Sequence, residues 1–392
     1  MKKKLTFTYA LQQIMLWALY GCLFSYANPY LTEQLGISDS GAGIILGLAT
    51  ALSFLLQPVL AAVADRIDLN PRRICVAAAL INGISCIAVA TMATGAVVFF
   101  AVACVTLQVL PSFSNAMGME AMRSGWEINF AVARGIGSVS FGLSAKGMAL
   151  MIKEFGNQSV VLGGAVIAIL FLVTTLSFPK MGAVEKEKEG ENGAGSFFRR
   201  EPKFILLILA SVLLYVGHNA LCNCMFRVAQ SKLTPETIDR ATSLQGSALL
   251  IAAVAELPTM FLFTKMLKRV RCDIWLCLSC CFMTLKLLLT WLLPGETGLL
   301  LAQLTQVGGY ALYAVASVYY VGTVVQKADV VKGQTYLGAS NTLGCLIAYV
   351  VGGVLIDAAG TVAMLTVCLG ASAVGTILMF LARQRVEKTV GT

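Results

Sequence analysis

Twelve long apolar runs divide the chain, and they constrain its fold more than any other feature of the sequence. The hydrocarbon core of a bilayer is about 30 Å thick, so a helix that crosses it needs about 20 consecutive apolar residues. Helices of a water-soluble protein keep one polar face, whereas these runs are apolar all round. The pattern predicts an all-α membrane protein with twelve transmembrane helices. The predicted spans are residues 7–31, 41–65, 73–93, 96–122, 129–152, 158–177, 203–229, 240–265, 272–293, 298–326, 333–356 and 360–382.

The basic residues indicate how these spans are oriented. Most of the 29 Lys and Arg residues lie in loops that the alternating spans place on one side, and the opposite loops carry only Lys153, Lys232 and Arg240. Cytoplasmic loops are enriched in Lys and Arg. The sequence therefore predicts an integral protein of a bacterial cytoplasmic (inner) membrane, with both termini in the cytoplasm. The net charge of +9 is explained by this topology, and we expect no nucleic-acid partner.

Residues 179–202 interrupt the apolar pattern with Gly, Pro and a run of alternating charge, which is typical of a solvated cytoplasmic linker. Six predicted spans lie on each side of it, in an N-terminal domain of residues 1–178 and a C-terminal domain of residues 203–392. Paired repeats of this kind are typical of secondary transporters. Pro58 in the second span and Pro258 in the eighth both precede a charged turn, which supports an internal repeat.

Two charged residues interrupt the apolar runs of the first half. Glu120 lies near the end of the fourth predicted span and Arg134 lies inside the fifth. A charge near the centre of a membrane helix costs about 2.5–3.5 kcal/mol on insertion scales. Both residues lie about 10 Å along their helices from the intervening turn, so they face each other at matching depth. We expect an ion pair that also binds substrate, with a purely structural salt bridge as the alternative.

Arg134, Ser138 and Phe141 follow one another at helical spacing and therefore share one helix face. A planar guanidinium binds paired oxygen atoms through two parallel hydrogen bonds, and an aromatic ring stacks on the C–H face of a sugar. Neighbouring glycines allow other helices to approach this face closely. The stripe therefore predicts a binding site for a polyhydroxylated ring.

Three ionisable residues of the second half are candidates for proton coupling. Glu256 lies in the eighth predicted span, and an ionisable group inside a membrane indicates function by default. Lys286 in the ninth span differs from it by about 6 Å in depth. It is either the partner of Glu256 or a side chain that reaches the outer surface. His218, the sole histidine, is a second candidate proton relay, with hydrogen-bonded packing as the alternative.

Further polar and aromatic residues within the spans are expected to line a central cavity. They are Phe24, Asn28, Asn219, Gln306 and Tyr310. Residues four positions apart, such as Gln306 and Tyr310, lie on the same helix face. The twelve cysteines fall almost entirely within spans and away from other metal-binding side chains, so we expect them to pack as small apolar residues. We expect no metal and no cofactor.

The segment AAVADRIDLNPRR after the second predicted span resembles the loop motif of the major facilitator superfamily. The acidic residue, the basic residue and the later basic pair of that motif match Asp65, Arg66, Arg72 and Arg73. The basic pair is displaced by a few residues, and the glycine of the motif is missing. The resemblance extends over the whole chain. It implies two pseudo-symmetric six-helix bundles around a central cavity, a gating role for these four residues, and alternating access in a monomeric transporter.

The stretch from Glu120 to Arg134 resembles the lactose permease branch of this superfamily, in which Glu-Ala ends the fourth span and Ala-Arg lies in the fifth. That resemblance implies that both residues bind sugar hydroxyls. Phe141 stands where the branch has a stacking tryptophan. The surroundings of Glu256 resemble those of a glutamate in lactose, nucleoside and phenylpropionate-type permeases that serves substrate and proton together. In the tenth span, Gln306 and a glycine replace the titratable His and Glu of the branch, so proton coupling of the lactose permease type is not expected.

The first interpretation is a secondary active transporter that imports a small sugar or glycoside together with a proton, its two halves rocking about the central site. Two alternatives remain open: a nucleoside or aromatic-acid symporter of the same fold, and a facilitator without proton coupling. Multidrug export is disfavoured, because the fifth span lacks the Gly-Pro motif of export antiporters in this superfamily. A membrane enzyme is disfavoured, because single acidic residues scattered around one histidine form no catalytic cluster. We therefore expect a small-molecule substrate, protons and the lipid bilayer as partners.

Overall fold

The computed structural model describes residues 5–67, 69–179, 194–326 and 329–385. Within these ranges the chain is mainly helical and contains no β-strand. Most of the predicted linker 179–202 lies outside the described residues, and its last part forms α8. The α-helices are α1 (Thr6–Leu19), α2 (Ala27–Pro29), α3 (Asp39–Arg66), α4 (Pro71–Thr91), α5 (Ala96–Arg123), α6 (Phe130–Phe155), α7 (Ser159–Leu176), α8 (Ala194–Arg200), α9 (Lys203–Asn223), α10 (Met225–Ser231), α11 (Ala241–Arg269), α12 (Cys272–Leu292), α13 (Gly295–Leu304), α14 (Tyr310–Val324) and α15 (Val330–Ala382).

Eleven helical segments among the described residues are long and apolar enough to cross a membrane. The last of them, Lys332–Ala382, contains Gly360, whose φ of 81° and ψ of 173° interrupt the helix. This region of backbone conformation is essentially restricted to glycine. The 53-residue helix α15 therefore comprises two spans. The prediction of an all-α membrane protein with twelve transmembrane helices is confirmed.

The distribution of side chains agrees with a lipid environment. Leu48, Ile84 and Val98 are between 64% and 66% exposed on the outside of their helices, whereas Gln12 and Asn82 are completely buried. Such an exposed apolar surface is unfavourable in water and is solvated by acyl chains in a bilayer. The polar groups that could carry function are therefore inside the helix packing.

Asparagine and serine side chains fix the starts of three helices. Oγ of Ser38 accepts a hydrogen bond from the N–H of Gly41 at 3.1 Å at the start of α3. Oδ1 of Asn70 accepts from the N–H of Arg72 at 2.8 Å at the start of α4. Oδ1 of Asn129 accepts from the N–H of Val132 at 3.1 Å at the start of α6. These caps satisfy N–H groups that have no partner within the helix.

The chain divides into two compact units. Unit 1 comprises Met1–Lys186 and Thr242–Leu250, and unit 2 comprises Glu187–Ala241 and Ile251–Thr392. In unit 1, α1 packs against α6 and α7, and α4 packs against α5 and α7. In unit 2, α9 packs along α15, and α12 packs against α14 and α15.

Each unit contains a discontinuous membrane helix beside a polar cluster. In unit 1 the first predicted span continues from α1 into π-helical turns at Tyr20–Phe24 and Tyr30–Gln34, which flank α2. In unit 2 the tenth predicted span divides into α13 and α14 around a 3₁₀ turn at Thr305–Gly308. Broken helices and π-bulges occur frequently at functional sites, because their backbone places side chains where a regular helix cannot. Both breaks adjoin the clusters described next.

Candidate functional site

The guanidinium of Arg134 in α6 lies against the ring of Trp17 in α1, with Cζ 3.9 Å from the ring centroid. Gly137, one turn further along α6, permits this approach, because a Cβ at that position would overlap the ring of Trp17. A cation on an aromatic face is stabilised by about 0.5–2 kcal/mol, and the larger value applies where water is excluded. The contact between α1 and α6 therefore gives Arg134 a defined position inside unit 1.

A chain of buried hydrogen bonds holds Trp17 through its ring nitrogen. Nε1 of Trp17 donates to Oε1 of Gln13 at 3.1 Å, and Nε2 of Gln13 donates to Oγ of Ser114 in α5 at 2.9 Å. Ser114 donates to Oε1 of Gln12 at 3.0 Å, and Nε2 of Gln12 donates to Oγ1 of Thr175 in α7 at 3.4 Å. We call Gln12, Gln13, Ser114 and Thr175 the glutamine network. Because all four side chains are buried, their mutual hydrogen bonds offset the cost of removing them from water.

An aromatic row (Trp17, Tyr20 and Phe24) runs along the first membrane helix from Arg134. The ring centroids of Trp17 and Tyr20 are 5.2 Å apart, and those of Tyr20 and Phe24 are also 5.2 Å apart. All three rings are half-buried. Gly21 brings the row against α6, because a Cβ there would overlap the carbonyl oxygen of Phe141. A guanidinium at the head of a row of aromatic faces suits a ligand that has both hydrogen-bonding groups and flat apolar faces.

The other residues predicted for this site occupy the same two helices. On α6, Ser138 is buried one turn beyond Arg134, and Phe141 is half-buried. On the first membrane helix, Asn28 is buried, and its Oδ1 has no hydrogen-bond donor among the described residues. A buried amide oxygen in this position is a candidate acceptor for a ligand N–H or O–H group.

Glu120 lies at the end of α5, where Nδ2 of Asn70 donates to its Oε1 at 3.2 Å. The same Asn70 caps α4, so the cap also orients this carboxylate. The ion pair between Glu120 and Arg134 stays a prediction. Sequence reasoning did not identify Asn70. The available signal was the adjacent Pro71, because proline is typical of the first position of a helix and the residue before it is then the cap.

The predicted gating loop connects α3 to α4. Nε of Arg72 donates to the carbonyl oxygen of Thr175 at 3.1 Å, and Nη2 donates to that of Leu176 at 2.5 Å. A cation at the last carbonyl groups of a helix satisfies them and complements the helix dipole. Arg66 and Arg73 are exposed, and the side chain of Asp65 lies outside the described part of the chain. The loop is therefore tied to the end of α7 through Arg72.

In unit 2, the side chain of Gln306 joins Glu256 of α11 to Lys286 of α12. Nε2 of Gln306 donates to Oε1 of Glu256 at 2.8 Å, and Nζ of Lys286 donates to Oε1 of Gln306 at 2.8 Å. Their exposures are 9% for Glu256, 4% for Gln306 and 3% for Lys286. The amide thus separates two buried charges of opposite sign and hydrogen-bonds to both. Because Lys286 is buried, its side chain points into unit 2 and does not reach a membrane surface.

The break between α13 and α14 places Gln306 between these charges. The backbone leaves the helical conformation at Gly309, with φ of −93° and ψ of −114°. Gly308 packs against the ring of Phe282, and a Cβ there would lie 2.7 Å from its Cγ. Oγ1 of Thr259, one turn from Glu256 on α11, donates to the carbonyl oxygen of Val307. The break therefore contacts α11 through its backbone as well as through Gln306.

Polar residues of α9 lie beside the same break. The ring of His218 stacks on Tyr310, the first residue of α14, with centroids 4.6 Å apart and an interplanar angle of 7°. Its Nε2 lies 3.7 Å from Sγ of Cys222. Nδ2 of Asn219 donates to Oδ1 of Asn341 in α15 at 3.1 Å. The structure thus brings the predicted residues His218 and Tyr310 into contact and pairs Asn219 with a residue that sequence reasoning did not identify.

Charged side chains at the ends of the membrane-spanning segments make further polar contacts. Arg271 binds Asp273 through two hydrogen bonds of 3.0 and 2.9 Å, and this contact raises the pKa of the Arg271 guanidinium. Lys232 donates to the carbonyl oxygen of Leu293 at 2.8 Å, and partial burial lowers the pKa of its ammonium. Arg200 and Asp329 form a further ion pair at 2.5 Å. The contact of Arg271 with Asp273 stabilises the start of α12, whereas the other two contacts connect the ends of different helices.

The part of the chain that the structure describes contains no group of three or more His, Cys, Asp and Glu residues that could hold a metal ion. Its twelve cysteines are free thiols, and most of them are buried.

Sequence reasoning missed Trp17 and the glutamine network. The available signals were two adjacent amides, Gln12 and Gln13, inside an apolar run, and an indole four residues after the second of them. Buried amides in a membrane span require hydrogen-bond partners, so the pair predicts a polar contact between helices. The positions of Ser114 and Thr175 opposite them follow only from the packing of α1, α5 and α7.

Residues 6–374 match the model of the MFS_1 like family. No curated protein sequence matches the chain. The fold is similar to that of the nucleoside transporter NupG, with a TM-score of 0.77, 16% sequence identity and coverage of 96% of this chain and 97% of that chain. It is also similar to a peptide transporter POT in complex with sulfate, with a TM-score of 0.73, 13% identity and coverage of 96% and 93%. At these identities the likeness concerns the fold alone.

Proposed function

The chain belongs to the MFS_1 like family and is a transporter of the major facilitator type, and we propose that it imports a small sugar or glycoside together with a proton by alternating access. The contact between Arg134 and Trp17 carries this proposal. It presents a fixed planar donor beside an aromatic row inside a membrane helix bundle. A neutral ring with several hydroxyl groups matches both features, because its oxygens accept paired hydrogen bonds and its C–H faces stack.

Four residues of unit 1 are proposed to bind the solute with Arg134. They are Glu120, Ser138, Phe141 and Phe24. The carboxylate of Glu120 accepts hydrogen bonds, and the guanidinium of Arg134 donates them. A hydroxylated ring offers both donors and acceptors, so it can satisfy both groups. Asn28, with its buried amide oxygen, is proposed as a further contact at the other end of the aromatic row.

A nucleoside is the second candidate, and the aromatic row favours it. Three half-buried rings with 5.2 Å between successive centroids offer more stacking surface than one sugar ring covers. A nucleoside combines a hydroxylated ring with a flat base, and base–aromatic stacking is worth about 1–3 kcal/mol. The similarity in fold to the nucleoside transporter NupG is consistent with this candidate. An aromatic acid, whose carboxylate would bind Arg134, is the third possibility.

Unit 2 is proposed to handle the proton. Glu256 is the proposed proton carrier, and Lys286 supplies the opposite charge through Gln306. His218, stacked on Tyr310 beside the helix break, is proposed to relay the proton, and Asn219 to complete the polar surface of α9. A carboxyl group that gains and loses a proton inside the membrane provides the coupling that a symporter needs. Without such titration the protein would be a facilitator.

The orientation in the membrane is also proposed. The strongly basic loops face the cytoplasm of a bacterial cell, both termini are cytoplasmic, and the protein acts as a monomer. Residues 1–178 and 203–392 form two domains joined by the cytoplasmic linker 179–202. The loop motif of Asp65, Arg66, Arg72 and Arg73 gates access, since Arg72 holds the end of α7.

The external pH of a weakly buffered, de-energised suspension of cells that express the protein tests this function. Sugars and glycosides, nucleosides, and aromatic acids are added separately, and cells with Arg134→Gln serve as the control. We expect alkalinisation with one class of solute, sugars or glycosides first, and no response in the control. Solute uptake without a pH change would show that the protein is a facilitator and not a proton symporter. A response to aromatic acids alone would overturn the hydroxylated ring as substrate.

A further inference from the structure

The position of Arg134 depends on a residue of another helix, Trp17. An arginine side chain has several rotatable bonds, and in a membrane span it tends to extend towards water. Here Cζ lies 3.9 Å from the centroid of the Trp17 ring, so the guanidinium is in van der Waals contact with the indole face. The indole is therefore one contact that keeps this cation within the bundle.

The orientation of the Trp17 ring is itself determined by two contacts. Its Nε1 donates to Oε1 of Gln13 at 3.1 Å, one helical turn earlier. The edge of the ring that carries Cδ1 and Nε1 also lies against Gly137 of α6, where a Cβ would overlap Cδ1. Rotation of the ring would break the hydrogen bond or move it into α6. Trp17 is thus held between α1 and α6.

The hydrogen bonds of the glutamine network determine which end of the Gln13 amide faces Trp17. Nε2 of Gln13 donates to Oγ of Ser114, whose own proton is directed to Oε1 of Gln12. Ser114 can therefore only accept from Gln13, and the amide oxygen of Gln13 must face Trp17, which has only a donor. Nε2 of Gln12 donates in turn to Thr175 in α7. All four hydrogen bonds are therefore donated in one direction, from Trp17 to Thr175 in α7.

We infer that Trp17 is a positioning residue that holds the guanidinium of Arg134 for paired hydrogen bonds to a ligand, and that Gln13 fixes Trp17 for this purpose. The inference rests on the proposed function of Arg134 as a substrate-binding residue. A guanidinium against a ring face keeps its N–H groups directed sideways, where two neighbouring hydroxyl oxygens can accept them. Trp17 thereby determines specificity for solutes with adjacent hydroxyl groups.

The rate at which phenylglyoxal modifies Arg134 tests this inference without any substrate. The rate is measured by mass spectrometry on the purified full-length protein and is expressed relative to Arg227 in α10. We expect Trp17→Leu to raise this ratio about two- to fivefold, as removal of a cation–π contact predicts, and Gln13→Leu to raise it less. Trp17→Phe keeps an aromatic face and should stay close to the wild-type protein. Trp291→Leu is the matched control, because Trp291 also donates to a side-chain oxygen, that of Thr366, at 3.1 Å.

An unchanged ratio in Trp17→Leu would overturn the inference. A general loosening of the fold accelerates the modification of both arginines and cancels in the ratio, so an increased ratio reports on Arg134 itself. Equal effects of Trp17→Leu and Trp291→Leu would overturn it as well. Binding of uridine against 3′-deoxyuridine, and of methyl β-D-glucoside against its 3-deoxy analogue, provides the second readout. Trp17→Leu should bring the affinity ratio of each bound pair close to one, and Trp17→Phe should retain it. If the wild-type protein binds neither pair, the proposed function fails for these solutes, and the labelling ratio alone decides the role of Trp17.

Discussion

Lys286 and Glu256 share one hydrogen-bonding partner, the side-chain amide of Gln306, at 2.8 Å on each side. An ammonium group only donates and a carboxylate only accepts, so the amide has a single orientation between them. The two opposite charges are thus joined through a neutral group that lies in the break between α13 and α14. A change of charge on Glu256 would therefore act first on Gln306 and on the backbone around it.

Replacement of Gln306 tests this connection. Gln306→Leu keeps a similar volume but removes both hydrogen bonds, so we expect it to abolish uphill accumulation and to leave solute exchange intact. Glu256→Gln should have the same effect, because the amide carries no titratable proton. Gln303→Leu is the matched control, since the Gln303 amide donates only to Leu299 within its own helix, at 3.3 Å. Accumulation in energised cells and counterflow in de-energised cells measure the two activities. Undiminished accumulation in Gln306→Leu would remove this bridge from the coupling mechanism.

The buried charges of Glu256 and Lys286 also lead to a prediction about the thermal stability of variants. Lys286→Met leaves the carboxylate of Glu256 buried without its counter-charge, and removal of one partner of a buried pair typically costs about 3–5 kcal/mol. The double variant Lys286→Met with Glu256→Gln removes both charges and should recover most of that loss. Thermal denaturation of the purified single and double variants gives the coupling between the two sites. Equal stability of the Lys286→Met and double variants would show that the two charges do not compensate each other.

The fold could be predicted from the sequence because its main determinant is local. An apolar run of about 20 residues is sufficient evidence for a span, and Gly360 marks the boundary of the last two. The breaks within the first, seventh and tenth predicted spans were not predicted. The run 298–326 is apolar overall, and it breaks where Gly308 packs against Phe282, a contact between residues distant in sequence. The first span departs from a regular helix in a similar way, where Gly21 packs against Phe141.

The candidate site was only partly predictable for the same reason. Arg134, Glu256 and Lys286 are recognisable in the sequence because a charge inside a membrane span needs a partner. The nature of the partners could not be deduced. The depth of Lys286 indicated Glu256 as its neighbour but not the amide of Gln306 between them, and nothing near Arg134 in the sequence indicated Trp17. Such contacts depend on which helix faces pack together, and spacing within one helix does not determine that.

We predict that a substitution of Glu120 weakens substrate binding without destabilising the fold. Glu120→Gln keeps the shape of the side chain and can still accept the hydrogen bond from Asn70. The neutral amide, however, is a weaker acceptor for ligand hydroxyls than a carboxylate, because charge-assisted hydrogen bonds are about twice as strong. We expect loss of substrate binding with little change in melting temperature. Glu154→Gln, at the exposed end of α6, is the control. Normal affinity in Glu120→Gln, measured by calorimetry on purified protein, would exclude this carboxylate from the binding site.

A substitution of Gly308 tests how far the break between α13 and α14 depends on packing. Gly308→Ala places a Cβ 2.7 Å from Cγ of Phe282, closer than two carbon atoms can approach, so either the ring or the break must move. Such overpacking typically costs about 1–3 kcal/mol. Gly322→Ala in α14 is the control, because no atom lies within 4 Å of a Cβ at that position. Combining Gly308→Ala with Phe282→Leu should restore stability if the ring is the obstacle. Thermal denaturation and transport are measured for each of these variants, to separate the packing of the Phe282 ring from the role of the backbone break. Restored stability without restored transport would mean that the backbone at Gly308 has a role in transport beyond packing.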